Sequence, residues 1–214
     1  MKKQCRIIAA HKRKGKPVKQ HVRCTSVKNT PKQTKEKSSS KTFSNYDDAT
    51  SQFDSFMDGK DDAIASINEY TDGNYSEINS SLRRSGKLDS GNDATVKGID
   101  EVFKSNPPVF EGTTHRAIGF TDENKFKSFV SSLEGGDTFV DKGYMSSSNN
   151  KRITEDFEHT FSVRFEINSK KGISIKNFSN FPKEEEILFN RGSKFNINSV
   201  EKDGTNGYKV SLSD

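Results

Sequence analysis

Three consecutive glutamates, Glu184-Glu185-Glu186, lie inside FPKEEEILFNRGSKF, between a Phe-Pro turn and the apolar run Ile187-Leu188-Phe189. That layout puts one carboxylate on a loop and the next at the head of a buried strand. A carboxylate fixed in each place can stabilise a developing cation and take a proton from a nucleophile. An acidic triplet on its own reads as a solvated face. Two other features upstream change that reading: Arg116 within THRAIGF, on a predicted strand, and GYMSSS (residues 143–148) at the end of another. An always-charged planar guanidinium suits phosphate oxygens, and serine hydroxyls both donate and accept hydrogen bonds.

The elements that must position these residues are legible from periodicity. DDAIASINEYT (61–71) and YSEINSSLRR (75–84) carry helical spacing, the second with Tyr75, Ile78 and Leu82 on one face and Gly86 placed to cap its end. A third helix, capped by Asn92 or Asp93, aligns Val96, Ile99, Val102 and Phe103 and stops at Asn106-Pro107-Pro108. A strand is expected over 113–120 and a helix over 123–133. Extended segments follow at 138–144, 161–167, 172–175, 186–189, 194–200 and 208–212. Helices that feed an antiparallel second half make an α+β layout.

Charge divides the 214-residue chain unevenly. Residues 1–41 hold fourteen Lys or Arg against one acid, Glu36, a balance of about +13, and contain no phenylalanine. The rest carries twenty-one basic and twenty-nine acidic residues, about −8, and all 16 phenylalanines. Residues 1–41 therefore read as a basic arm and linker, and 42–214 as the domain that can build a core. The arm invites nucleic acid or another polyanion, or is a solubilising tail. It also holds both cysteines. Cys5, His11, His21 and Cys24 supply enough ligands for a tetrahedral zinc site, in a spacing that fits no zinc module. CRIIAAH and PVKQHVRC, separated by KRKGK, alternatively form a small hairpin. No apolar run approaches a membrane span, and Ile7–Ala10 is too short for a signal-peptide core. A soluble, monomeric protein is expected.

An Arg, a Ser-x-Ser and a Glu-x-Glu in this order on strands resemble the signature of mono-ADP-ribosyltransferases of the bacterial exoenzyme-toxin type. YTDGNYSEINSSLRR, IDEVFKSNPPV, FSVRFEINSKKGISI and EEEILFNRGSKFNI resemble that family's flanking segments, so the likeness runs from about Tyr70 to Leu212. It implies an ADP-ribosyltransferase-like split antiparallel β-sheet core with a helical N-terminal half. It also implies NAD as substrate, no metal, and pentosyl transfer of ADP-ribose to a target protein. Glu186 then stabilises the ribose cation. Glu184 implies arginine as the acceptor, and Glu185 is solvated, although the register within the triplet is open by one residue. Ser146 orients Glu186, and Ser148 helps line the nicotinamide pocket. Arg116 and Arg83, with Arg84 competing for the helix position, hold the pyrophosphate, and Asn79 adds a hydrogen bond. The backbone of Ala117 bonds the nicotinamide amide. Phe157 stacks on nicotinamide or packs in the core, and Phe181 recognises the acceptor protein.

His115 and Ala117 depart from the aromatic residue and glycine common beside the family's strand arginine. Two other readings keep the fold: an NAD glycohydrolase, or transfer to a nucleic-acid base. A third is a degenerate binding or assembly module of a phage. The arm segment AHKRKGKPVKQHVR resembles basic repeats of some bacteriophage proteins, which implies a phage origin and a place in the host cytoplasm or virion. A secreted toxin is the competing origin.

Overall fold

A computed structural model describes residues 41–214 in full and, upstream, the backbone of four short strands. The chain divides into two units, Met1–Lys37 and Ser38–Asp214. In the first, β1 (Lys3–Ile8) pairs antiparallel with β4 (His21–Ser26), with Cys5 opposite Cys24. β2 (His11–Arg13) pairs with β3 (Lys16–Val18). The zinc expectation depends on the side chains of Cys5, His11, His21 and Cys24, which lie outside the described residues.

The second unit opens with β5 (Thr42–Phe43) and four helices: α1 (Tyr46–Met57), α2 (Asp61–Glu69), α3 (Tyr75–Arg84) and α4 (Ser90–Lys104). Helix α1 went unread in the sequence because polar residues dominate it. Its apolar positions Ala49, Phe53 and Met57 recur every fourth residue and are buried, and Asn45 caps it by accepting from the Asp48 N–H at 3.0 Å. Between α2 and α3 a single π-type turn, Tyr70–Asn74, contains Gly73 at φ 110°, a conformation that lets the chain kink without strain. The cap of α4 is Asp89, ahead of the expected Asn92 or Asp93: its carboxylate accepts from the Asn92 N–H at 2.7 Å. Gly86 follows the end of α3 at φ 69°, where its N–H donates to the Ser81 carbonyl.

The remaining elements are β6 (Val109–Phe120), α5 (Glu123–Glu134), β7 (Thr138–Val140), β8 (Met145–Ser148), β9 (Phe161–Ser174), β10 (Glu186–Phe189), β11 (Lys194–Lys202) and β12 (Gly207–Ser213). They form one sheet in the order β5-β6-β8-β10-β9-β12-β11-β7, with β6 also laddered along β9. The long β6–β9 ladder and the short β8–β10 pair, which joins the far end of β9, give the sheet its split form. The fold is α+β, and most ladders are antiparallel as expected. Two pairings are parallel, β9 with β12 and β5 with β6.

Two expectations on strands are corrected. The segments 161–167 and 172–175 are one continuous strand, because β6 pairs along nearly its full length. The segment 138–144 is not one strand. It stops at Val140, and residues 141–144 turn into β8.

Two buried clusters lie on the two faces of β10. Ile187 and Phe189 join α5 and the long strands, whereas Leu188 joins α1–α4 and Tyr144. Side chains alternate along a strand, so Glu186 falls on the same face as Leu188, toward the helices.

Candidate active site

The β8–β10 register brings the motif together. Glu186 pairs with Ser148 and Leu188 with Ser146, so Ser146, Ser148 and Glu186 share the helical face while Ser147 turns to the other. Ser147 is buried and donates to the Ile187 carbonyl at 3.0 Å. On the opposite side α3 supplies Asn79 and Arg83. The cleft between them has a volume of about 750 Å³. Every residue expected at the site lines it: Asn79, Arg83, Arg116, Ala117, Ser146, Ser148, Phe157, Phe181, Glu184 and Glu186.

Glu186 is the first residue of β10 and is 6% exposed. Burial pushes its carboxyl up to about 7; the nearby Ser146 hydroxyl and Arg116 oppose that rise, while Glu184 adds to it. Glu184 lies at the end of a short 3₁₀ turn, Pro182–Glu184, and is half-buried. Burial, with Asp156 adding, raises its carboxyl as well. Glu185 stands between them in the left-handed conformation, φ 48°. That left-handed residue marks the step from the 3₁₀ turn to the strand, and its neighbours on both sides line the cleft. Glu185 does not line the cleft and is not simply solvated as expected: it is half-buried and accepts from the Asn149 side chain at 3.1 Å. The Ser148 hydroxyl donates to the Glu184 carbonyl at 2.6 Å and accepts from the Asn150 N–H at 2.9 Å. Ser148 therefore clamps the glutamate loop to β8.

Arg116 donates from Nη1 to the Ser146 carbonyl at 2.6 Å, and its Nε is a buried donor without a partner. Burial lowers its pKa, yet a guanidinium keeps its charge. Arg83 is 42% exposed at the side chain and forms a two-point pair with Asp141, Nε to Oδ1 and Nη2 to Oδ2, both at 2.8 Å. Arg84 also lines the cleft and holds only its own helix, through the Ser80 carbonyl at 3.3 Å.

Asn79, expected to add a hydrogen bond at the site, lines the cleft and also braces the fold. Its Oδ1 accepts from the Tyr144 N–H at 2.8 Å and its Nδ2 donates to the Tyr70 hydroxyl at 2.9 Å, so this 6%-exposed amide ties α3 to the turn before β8. Gly143 allows that approach: a Cβ there would lie 2.6 Å from Asn79 Oδ1. Phe157 and Phe181 are 46% and 52% exposed, so Phe157 is not a core residue.

Three further residues shape the site, two in the cleft wall and one behind it. Tyr70 is 1% exposed with its hydroxyl among Asn79, Ser146 and Glu186, and burial pushes it up to about 12, with Glu186 adding. Tyr75 packs edge-on against it, 48% exposed. Asp141 sits behind Arg83, with only its isolated position before Lys-Gly to mark it in the sequence. Among the described residues no group of His, Cys, Asp and Glu is arranged to hold a metal, and no helix is long and apolar enough to cross a membrane.

The arrangement is a single cleft lined by two arginines, one of them paired with Asp141, and by two carboxylates of unequal burial, with Arg116 close enough to Glu186 to favour its ionised form. The model of the ADP-ribosyltransferase exoenzyme family matches residues 32–212. A Mycobacterium avium (strain 104) protein provisionally named an NAD(+)–arginine ADP-ribosyltransferase, Mav, is 27% identical over 149 residues, 70% of this chain and 17% of its own. Exoenzyme T of Pseudomonas aeruginosa is 26% identical over 146 residues, 67% of this chain and 30% of its own. The chain thus spans less than a third of these relatives' length.

Among solved structures, exoenzyme S of Pseudomonas aeruginosa, in complex with human 14-3-3 protein beta and carba-NAD, superposes with a TM-score of 0.62 at 20% identity. That alignment covers 78% of this chain and 86% of that one. Vis, an ADP-ribosyltransferase from Vibrio splendidus, in complex with agmatine, gives 0.60 at 20% identity, covering 78% and 80%. The structural likeness establishes the fold. The family match extends over the helices and strands that build the cleft, and the chain belongs to the ADP-ribosyltransferase exoenzyme family.

Proposed function

We propose that the chain transfers ADP-ribose from NAD to an arginine side chain of a target protein and releases nicotinamide. The observation that carries this reading is the pair Glu186 and Glu184, one buried at a strand head and one on the adjoining loop, both facing one cleft. The cleft fits NAD. Arg83 keeps N–H groups beyond those given to Asp141, so it has donors left for pyrophosphate oxygens, and Arg116 in the same cleft wall adds a second fixed positive charge.

When the bond between the ribose C1′ and the nicotinamide nitrogen breaks, its electron pair leaves with nicotinamide and positive charge develops on the ribose. The Glu186 carboxylate, oriented by Ser146, stabilises that charge. The acceptor nitrogen forms the new bond to C1′ while Glu184 binds the guanidinium and takes its proton. Burial and Asp156 raise Glu184, which makes it a better base than an open carboxylate. In this reading Phe181, exposed three residues before Glu184, meets the acceptor protein, and Phe157, also exposed, stacks on nicotinamide.

Arginine as acceptor is supported by the activity named for Mav and by the agmatine, a guanidinium compound, bound to Vis. The basic arm is proposed to contact a polyanion or the target, in a phage-encoded or secreted context. Incubation with NAD and agmatine tests the acceptor: formation of ADP-ribosyl-agmatine with release of nicotinamide supports the reading. Nicotinamide release without an agmatine adduct would shift it to an NAD glycohydrolase, and labelled nucleic acid in a lysate would shift it to a nucleic-acid acceptor.

A further inference from the structure

We propose that Asp141 is a positioning residue for NAD binding: it holds the Arg83 guanidinium in the orientation that meets the pyrophosphate. This rests on the NAD reading above. Arg83 projects from the last turn of α3, and its side chain is 42% exposed in the cleft wall. A long flexible side chain in that setting would sample many rotamers. Asp141 removes that freedom through two parallel hydrogen bonds, both 2.8 Å, from Nε and Nη2.

Asp141 is itself fixed. It is 7% exposed, its Oδ1 also accepts from the Gly143 N–H at 2.9 Å, and its carbonyl accepts from the Gly192 N–H at 2.8 Å. The residues it braces, 141–144, lead directly into β8 and Ser146. One carboxylate thus locks the helix arginine and the serine strand into a common frame. The pair fills one edge of the guanidinium and leaves the Nη1 hydrogens directed away from Asp141. Asp141 does not line the cleft, so its effect on substrate passes through Arg83.

Positioning and simple charge neutralisation predict opposite signs. Asp141→Asn removes a negative charge beside two arginines. If Asp141 only offset their charge, the variant would bind the anionic pyrophosphate more tightly. If it orients Arg83, binding weakens in spite of the added positive charge.

The test measures ADP-ribose affinity by calorimetry and the KM and kcat of NAD hydrolysis on the full chain, with thermal unfolding to establish that each variant is folded. Asp141→Asn is expected to raise the Kd for ADP-ribose and the KM for NAD about tenfold, with kcat within about threefold of the native chain, because a misplaced contact costs binding. Arg83→Lys keeps the charge but loses the two-point geometry, and is expected to behave like Asp141→Asn. Unchanged or tighter ADP-ribose binding in Asp141→Asn, or a fall in kcat at constant KM, would overturn the proposal. Should Asp141→Asn fail to fold, native ADP-ribose affinity in Arg83→Lys would overturn it. A folded native chain that binds neither ADP-ribose nor NAD would instead overturn the NAD reading itself, and the role of Asp141 with it.

Discussion

Glu186 combines near-complete burial with a carboxyl pushed up to about 7, and both its activity and its cost to stability follow from that. The ionised form is the one that stabilises a ribose cation, so kcat/KM for NAD should fall as pH drops below about 7 and level off above it. A pH profile of nicotinamide release checks this; a profile flat from pH 5 to 8, on the order of the range where the group titrates, would contradict it. The effect on stability runs the other way. The folded pKa lies above the unfolded carboxylate value, so between them the folded chain binds the extra proton and stability declines as pH rises. The penalty is absent below the unfolded value, grows through the interval and is complete above about 7. Glu186→Gln should therefore unfold at higher temperature than the native chain at pH 8 and lose that advantage at pH 4, with a gain at pH 8 on the order of 2–3 kcal/mol. Thermal unfolding at the two pH values measures it. The glutamate and its two serines could be read from the sequence because their order and spacing after Arg116 resemble the family's signature, and strand alternation then places i and i+2 on one face. Asp141 could not, because the contact that gives it meaning spans 58 residues to Arg83.

At the scale of elements, the site depends on two ties that hold loops to strands. Ser148 joins the Glu184 carbonyl to β8 and the Asn150 N–H, so it sets where Glu184 stands relative to Glu186. Ser148→Ala should lower arginine transfer several-fold more than NAD hydrolysis, the loss of a buried hydrogen bond being about 1–3 kcal/mol. An equal fall in both rates would show that the clamp serves the cleft as a whole. Gly143 is the second tie, since Asn79 packs against its bare Cα. Gly143→Ala should destabilise the chain by about 1–3 kcal/mol, measured by denaturant unfolding, because the buried amide must shift from both of its hydrogen bonds. Helix α3 and strand β10 were legible to the residue, 75–84 and 186–189, from clean periodicity and the flanking glycine and proline. Helix α1 was not, because its three buried apolar residues are spread among polar ones. The break between β7 and β8 was not either, because Thr138-Phe139-Val140 and Tyr144 are strand-forming residues and the turn between them is set by the contacts of Asp141, which leave no local mark.

At the scale of the whole molecule, the sequence distinguishes a basic arm from an acidic, phenylalanine-rich body, and the chain divides near the same place, Met1–Lys37 and Ser38–Asp214. The α+β class was legible because helical periodicity gives way to extended periodicity after about residue 136. The long β6–β9 ladder and the parallel β9–β12 pairing were not, since pairing partners far apart in sequence leave no local mark. Both core clusters lie within the second unit, as does nearly all of the family match. Removal of residues 1–31 should therefore leave a cooperatively folded protein whose NAD hydrolysis stays within about twofold of the full chain, by thermal unfolding and nicotinamide release. Glu186 and Glu184 are proposed to divide the work of one cleft. Arginine transfer and NAD hydrolysis, measured side by side in Glu186→Gln and Glu184→Gln, separate their roles. Glu186→Gln is expected to abolish both, whereas Glu184→Gln is expected to abolish transfer and retain hydrolysis; equal loss of both activities in the two variants would overturn that division.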